Sequence, residues 1–320
     1  MKNTSLSSAV ENFAASTHHF TDPDLERPWD WNDYKEGVRF AFFRTYEQLC
    51  ELAARLEIER NASAHPFTIA QRILGQYHAA SRDLQAVLQG VTDELAAQVP
   101  GDAPHSGLPG DAPHSGLPGD APHSGLPGDA PSSRLPAEGE WPLRQVLAHI
   151  VQADRGFFAN INYGLERART GDSRPQEMTE DMWNTFWADA PFAELSERGT
   201  LAEMQAYHHR LHPRILHTFS GISADELHLP IYFWEGQMPL EFRLHRFSSH
   251  MRQHTIQAEK TLAMLCRPPS ETMRLLRIVY SALAAVESVT IGDESFGLER
   301  QNELAEEIAR QTGEITKVVG

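Results

Sequence analysis

Apolar residues recur at three- and four-residue spacing along most of this 320-residue chain, and no other feature constrains its fold as strongly. Such spacing places apolar side chains on one face of an α-helix, and the sustained alternation typical of β-strands is missing. We therefore predict an all-α fold. The predicted helices span residues 35–59, 67–97, 142–169, 200–220, 239–266, 271–289 and 298–316. Residues 170–199 are predicted to form a connection that packs its aromatic side chains onto the helices.

A nine-residue repeat interrupts the helical pattern. Three identical copies of Pro-Gly-Asp-Ala-Pro-His-Ser-Gly-Leu fill residues 100–126, and a degenerate fourth copy follows at 127–135. Proline and glycine at this density cannot sustain a helix or a strand, so residues 100–136 are predicted to be a disordered linker. Three histidines recur with the repeat: His105, His114 and His123. Gathering them around one ion would cost chain entropy, which disfavours a metal site there.

Charge and cysteine content exclude several classes of protein. Lys and Arg total 28 and Asp and Glu 44, so the formal net charge is −16, which disfavours binding to nucleic acid or anionic membranes. No stretch is apolar enough to span a bilayer, and the N-terminus lacks an apolar signal region. Cys50 and Cys266 form neither a disulfide framework nor a zinc-binding Cys-x-x-Cys motif. These features predict a cytoplasmic protein.

Three histidines have the placement of metal ligands. His250 and His254 are four residues apart and so share one face of the predicted helix 239–266. His149 borders the apolar stripe of helix 142–169, where Ala153 and Gly156 on the same face would leave a pocket above the imidazole. Each histidine alone is more simply explained by an ordinary hydrogen bond, but the three together favour a metal site with open positions.

Other histidines compete for this role. His208 and His212 are also four residues apart on helix 200–220, yet Pro213 is expected to disturb the turn that carries His212, so this pair ranks second and is explained by core filling or hydration. His245 is predicted to lie on the helix surface. The chain contains no Gly-rich phosphate loop, no Gly-x-Ser-x-Gly elbow and no His-Glu-x-x-His motif, so nucleotide hydrolysis, serine-hydrolase chemistry and zincin proteolysis lack their usual signatures.

The segments Trp141-Pro-Leu-Arg-Gln-Val-Leu-Ala-His149 and His250-x3-His254-x2-Gln257 resemble the DinB-like family of metal-binding four-helix bundles. The resemblance covers about residues 66–266. It implies a DinB-like four-helix bundle built from helices 67–97, 142–169, 200–220 and 239–266. The repeat linker would then lie between the first and second bundle helices, where the family has a short turn.

The resemblance also implies a domain organisation and a chemistry. Residues 1–65 and 267–320 would be helical extensions of the bundle at 66–266. His149, His250 and His254 would hold a divalent metal, zinc or nickel, and enzymes of the family transfer low-molecular-weight thiols. The related ergothioneine-synthase bundles carry a glutamate where this chain has Ile256, which disfavours that subgroup.

The preferred hypothesis is a metal-dependent thiol transferase, in which the ion activates a thiol and Gln257 supports a ligand or bound water. Gln257 is equally well explained as a surface residue. One alternative is a non-catalytic metal-binding or stress-response bundle, and another is an interaction protein without a metal. The expected partner is a small-molecule substrate, and a homodimer is left open.

Overall fold

The computed structural model describes residues 5–100, 141–232 and 236–320. Within these residues the protein is mainly helical, which confirms the all-α prediction. Its helices, in chain order, are α1 (Leu6–Thr17), α2 (Asp22–Leu25), α3 (Val38–Asn61), α4 (Ile69–Val87), α5 (Asp93–Ala97), α6 (Leu143–Thr170), α7 (Glu180–Phe186), α8 (Ala193–Arg198), α9 (Leu201–Phe219), α10 (Leu240–Met264), α11 (Glu271–Thr290) and α12 (Leu298–Val319). Two short antiparallel hairpins pair β1 (Pro28–Trp31) with β2 (Tyr34–Gly37) and β3 (Pro230–Tyr232) with β4 (Gln237–Pro239).

Four of these helices close into a four-helix bundle, because α4 and α6 each pack against both α9 and α10. All four helices contribute fully or almost fully buried side chains to one core: Leu74, Tyr77, Ile150, Phe157, Leu211, Ile215, Leu244 and Phe247. The Arg144 guanidinium donates to the carbonyls of Glu197 and Gly199, so α6 and α9 begin at the same end of the bundle. The Thr261 hydroxyl donates to the carbonyl of Trp141, which places the C-terminal part of α10 at that end too.

The remaining long helices, α1, α3, α11 and α12, form a second layer with a core of its own, called here the accessory layer. It is made from the two segments predicted to be terminal extensions of the bundle. Helix α11 packs against both α3 and α4 and so joins the two layers. Gly75 permits this close packing, because a Cβ atom at that position would lie 3.2 Å from the Cβ of Ser288.

Two local predictions need correction. Residues 35–37, predicted to begin the helix 35–59, belong to strand β2 of the first hairpin, and α3 begins at Val38. The turn between β1 and β2 contains Asn32 at φ +53°, a left-handed conformation that asparagine tolerates better than most residues. The predicted helix 67–97 is two helices, because Gly90 adopts φ +69° between α4 and α5.

The aromatic connection between α6 and α9 packs as predicted. Residues 170–199 contain the short helices α7 and α8, and they bury Trp187 and Phe192 against the bundle core. The guanidinium of the buried Arg155 lies 4.1 Å from the centre of the Trp187 ring, so a cation–π contact holds the connection on α6.

Two predictions concern the rest of the chain. From residue 101 onward, the predicted repeat linker at 100–136 lies outside the described residues. Among the helices that the structure does describe, none is long and apolar enough to cross a membrane.

Candidate metal centre

The packing of α6 against α10 brings together the three histidines singled out in the sequence. On α6, Val146 and Ile150 are buried in the core, and His149 between them stays half-buried at the edge of the helix interface. On α10, the buried Met251 lies between His250 and His254, which are each 7 % exposed. The apolar stripes of both helices therefore orient the imidazoles toward one another.

The three imidazoles converge on one point. The Nε2 atom of His250 lies 3.2 Å from Nε2 of His149 and 3.1 Å from Nε2 of His254. One ligand atom from each residue lies within 4.8 Å of the other two, and the rest of the described chain contains no second group of three such residues this close. Nitrogen ligands bound about 2.0–2.1 Å from a tetrahedral zinc ion lie about 3.3–3.4 Å apart, close to the two spacings observed here. We call these residues the three-histidine cluster.

The donor atoms of the three-histidine cluster fit a cation. Nδ1 of His254 lies 2.7 Å from Oε1 of Gln257, so a neutral His254 carries its proton on Nδ1 and a lone pair on Nε2. Nε2 of His250 faces two other imidazole nitrogens, and a single hydrogen there can satisfy at most one of them. A divalent cation between the rings accepts three lone pairs at once. The cluster is thus suited to hold a metal ion.

Burial keeps His250 in the neutral form that a metal ligand needs. Burial, together with repulsion from His254 and His149, lowers the pKa of His250 to about 2. A neutral imidazole presents a lone pair to a cation, whereas the protonated ring would repel it. Protons therefore do not compete with a metal ion for His250 near neutral pH.

Aromatic rings flank the three-histidine cluster. Trp141, just before α6, packs edge-on against His149 with ring centres 5.2 Å apart. On the core side, Phe157 packs edge-on against His250 at 5.7 Å. These rings limit the rotation of the His149 and His250 imidazoles. The pocket predicted from Ala153 and Gly156 above His149 remains a prediction.

The rival histidines have other partners. His208 is buried, with Nε2 3.1 Å from Oδ2 of Asp154, and His212 is buried, with Nε2 2.9 Å from Nδ1 of His78. Helix α9 continues through Pro213, which removes a backbone donor but does not end the helix that carries His212. Both histidines are buried, so core filling applies to them rather than hydration, the other explanation offered by the sequence. His245 is exposed on α10, as predicted.

Sequence reasoning missed a buried polar group in the middle of the bundle. Asp154 is fully buried and accepts a hydrogen bond of 2.6 Å from the hydroxyl of Tyr77, which is also fully buried. A signal existed, because Asp154 interrupts an otherwise apolar stripe of α6 between Ile150 and Phe157. Its partners on α4 and α9 could not be paired with it before the helices were assembled.

A ring of four helices with three imidazoles at one end defines an all-α bundle protein with a centre that could hold a divalent metal. A sequence profile of the DinB superfamily matches residues 76–258, which include all three histidines. The chain belongs to the DinB superfamily, and the predicted family resemblance is confirmed. No curated protein and no solved structure matches the chain significantly.

Proposed function

We propose that this member of the DinB superfamily is a metal-dependent thiol transferase whose three-histidine cluster holds zinc or nickel. The observation that carries the proposal is the convergence of three Nε2 atoms from two helices, two of them buried. Imidazole nitrogens are suitable ligands for both metals. Three protein ligands would leave a coordination position for a substrate, which is typical of catalytic rather than structural sites.

The protein's own residues prepare this position. Gln257 fixes His254 with its Nε2 lone pair toward the cluster, and Trp141 holds the ring of His149. A divalent ion with three neutral ligands keeps its double positive charge, which lowers the pKa of a thiol at its open position. In the proposed reaction the thiol would lose its proton to solvent, and its sulfur would form a bond to an electrophilic carbon of a small-molecule substrate. The bond from that carbon to a leaving group would break at the same time, and the leaving group would depart with the electron pair.

The proposed setting is the cytoplasm. Cys50 and Cys266 are both free thiols in the structure, and a reducing compartment would keep them and a thiol substrate reduced. The formal net charge of −16 makes nucleic acid an unsuitable partner.

One observation favours a second candidate function, a metal-binding bundle without catalysis. His250 and His254 are each only 7 % exposed and His149 is half-buried, so little of the cluster is open to a substrate. If a fourth protein ligand closes the coordination sphere, the ion would have a structural role.

The experiment compares the untagged wild-type protein with His250→Ala and with His245→Ala as the matched control on the same helix. Elemental analysis measures the bound metal, and a panel of low-molecular-weight thiols with electrophilic acceptors measures transfer. We expect the wild type and the control to bind one metal ion and to catalyse thiol transfer. His250→Ala should lose both the metal and the activity. Full activity of metal-free His250→Ala would contradict the metal-dependent mechanism. Stoichiometric metal without turnover on any thiol would favour the non-catalytic bundle.

A further inference from the structure

A second cluster of histidines lies where the bundle meets the accessory layer, outside the candidate metal centre. His78 on α4 and His212 on α9 are 8 % and 7 % exposed. Nε2 of His212 lies 2.9 Å from Nδ1 of His78, and Nε2 of His78 lies 2.8 Å from Oε2 of Glu287 on α11. These contacts form a continuous chain of hydrogen bonds from the bundle core to α11.

The charged end of this chain is firmly ionised. Arg82 donates from Nε to Oε2 and from a terminal nitrogen to Oε1 of Glu287, at 2.8 and 2.5 Å, and it also donates to Glu11 on α1. Burial would raise the pKa of Glu287, but the hydrogen bonds from His78 and Arg82 and the positive charge of Arg82 lower it to about 2. Glu287 is therefore a carboxylate near neutral pH and can only accept hydrogen bonds.

This carboxylate determines which nitrogens carry protons. Nε2 of His78 must donate to Glu287, so Nδ1 of a neutral His78 carries a lone pair and accepts from Nε2 of His212. Nδ1 of His212 then carries a lone pair too, and this buried atom has no hydrogen-bond partner among the residues that the structure describes. Burial, followed by repulsion from His78, His208 and Arg82, holds the pKa of His212 well below its usual value.

Uptake of one proton by His212 would disturb this arrangement. Because Nε2 of His212 donates to His78, the added proton would lie on Nδ1 and make the ring of His212 a cation. Among the described residues, Nδ1 of His212 has no hydrogen-bond partner that could accept this proton. A buried donor without a partner is costly, and the new positive charge would lie close to Arg82. Titratable and charged groups face the pair from five helices: Glu11, Tyr77, Arg82, Asp154, His208, His209 and Glu287.

We propose that His212, hydrogen-bonded through His78 to Glu287, is a buried proton switch that joins α4 and α9 of the bundle to α11 of the accessory layer. In the neutral form every contact along the chain is a normal hydrogen bond, and the two layers hold together. Acidification below the ordinary pKa of histidine favours states in which α11 separates from α4 and α9. In such open or unfolded states His212 binds a proton that the closed structure excludes. The switch involves no residue of the three-histidine cluster.

The wild-type protein itself allows the first test, with ¹⁵N-labelled histidine and NMR of the imidazoles. A hydrogen bond between two imidazoles transmits a ¹⁵N–¹⁵N coupling, and here the coupling must join an Nδ1 to an Nε2, whereas the contacts within the three-histidine cluster join Nε2 to Nε2. We expect this Nδ1–Nε2 coupling at pH 8, with the proton on the Nε2 side. Absence of the coupling, or a proton on the Nδ1 side at pH 8, would overturn the proposal.

The second test measures thermal melting and the hydrogen exchange of α11 between pH 7.5 and 5.5. His212→Gln keeps a donor near the position of Nε2 but cannot titrate, and His217→Gln changes an exposed histidine of the same helix as the control. We expect acid to lower the Tm and the protection of α11 in the wild type and the control. In His212→Gln, acid should lower the Tm and the protection of α11 by less than half as much as in the wild type. An equal acid loss in all three proteins would contradict the switch, and the NMR result stands even if His212→Gln fails to fold.

Discussion

Among single residues, Gln257 contributes to the candidate centre through His254. Its side-chain oxygen accepts the Nδ1 proton of His254 at 2.7 Å, which fixes the tautomer and leaves the Nε2 lone pair facing His250. The sequence suggested Gln257 as a supporting residue but could not distinguish this role from an ordinary surface position. The contact observed gives the residue a specific partner.

Gln257→Ala is expected to weaken zinc binding by about 10–100-fold, because loss of a residue that orients a ligand typically has this effect. Competition with a chromogenic chelator measures the affinity. Gln253→Ala, at an exposed position on the same helix, is the control and should bind zinc like the wild type. Equal affinity of Gln257→Ala and the wild type would mean that His254 is held by other contacts.

At the scale of secondary-structure elements, the break between α4 and α5 depends on one glycine. Gly90 has φ +69°, and a Cβ atom there would lie 2.8 Å from Cδ2 of His18, just after α1. Gly171 ends α6 with φ +63°, and no neighbouring atom in the described part of the chain lies within 4 Å of such a Cβ. The two positions share a backbone conformation and differ in the space around them.

Gly171→Ala should cost about 1–2 kcal/mol of unfolding free energy, which is the penalty for a left-handed conformation with a Cβ atom. Gly90→Ala should cost more than Gly171→Ala, since the ring of His18 must also move. Urea unfolding of both variants gives the comparison. If Gly90→Ala is no less stable than Gly171→Ala, the contact with α1 is adaptable and contributes little.

At the scale of the whole molecule, the two layers share a seam between α4 and α11. Arg277 of α11 donates to both carboxylate oxygens of Asp83 on α4, and it also pairs with Glu259 on α10. The chain of hydrogen bonds from His212 through His78 to Glu287 crosses the same seam. The boundaries 1–65, 66–266 and 267–320 remain a prediction, and the seam suggests that the bundle region depends on the accessory layer.

Residues 66–266 produced alone should therefore melt well below the full chain or aggregate, because α4 would expose the face that α11 covers. Circular dichroism melting and light scattering measure the outcome. A bundle fragment that melts within a few degrees of the full chain would show that its core is sufficient.

Replacement of residues 101–136 by a short Gly/Ser segment should leave the Tm unchanged. This expectation comes from the composition of the repeats, which carry one aliphatic residue per copy, and from the weak dependence of loop-closure entropy on length. The measurement is a melting curve of the replaced and parent proteins. A loss of several degrees would indicate that the repeats pack on the body.

Most long helices could be predicted from the sequence, because the periodicity of their apolar residues is a local property. The ends of α6, α9, α10 and α11 lie within two residues of the predicted ends. The hairpin at 28–37 and the break at Gly90 were missed. In both cases a residue in a left-handed turn, Asn32 or Gly90, interrupts the helical pattern around it. Other asparagines and some other glycines of the described chain adopt ordinary conformations, so residue type alone did not reveal these turns.

The sequence by itself determined the all-α class, the four bundle helices and the three histidines of the candidate centre. Spacing along one helix fixes the pair His250 and His254, and the family motif supplies His149. Only the tertiary structure decided that His78 contacts both His212 and Glu287, and that the terminal segments build one layer around α11. Such contacts join residues more than a hundred positions apart. They depend on which helix faces pack together, and periodicity reveals that a face is buried without revealing its partner.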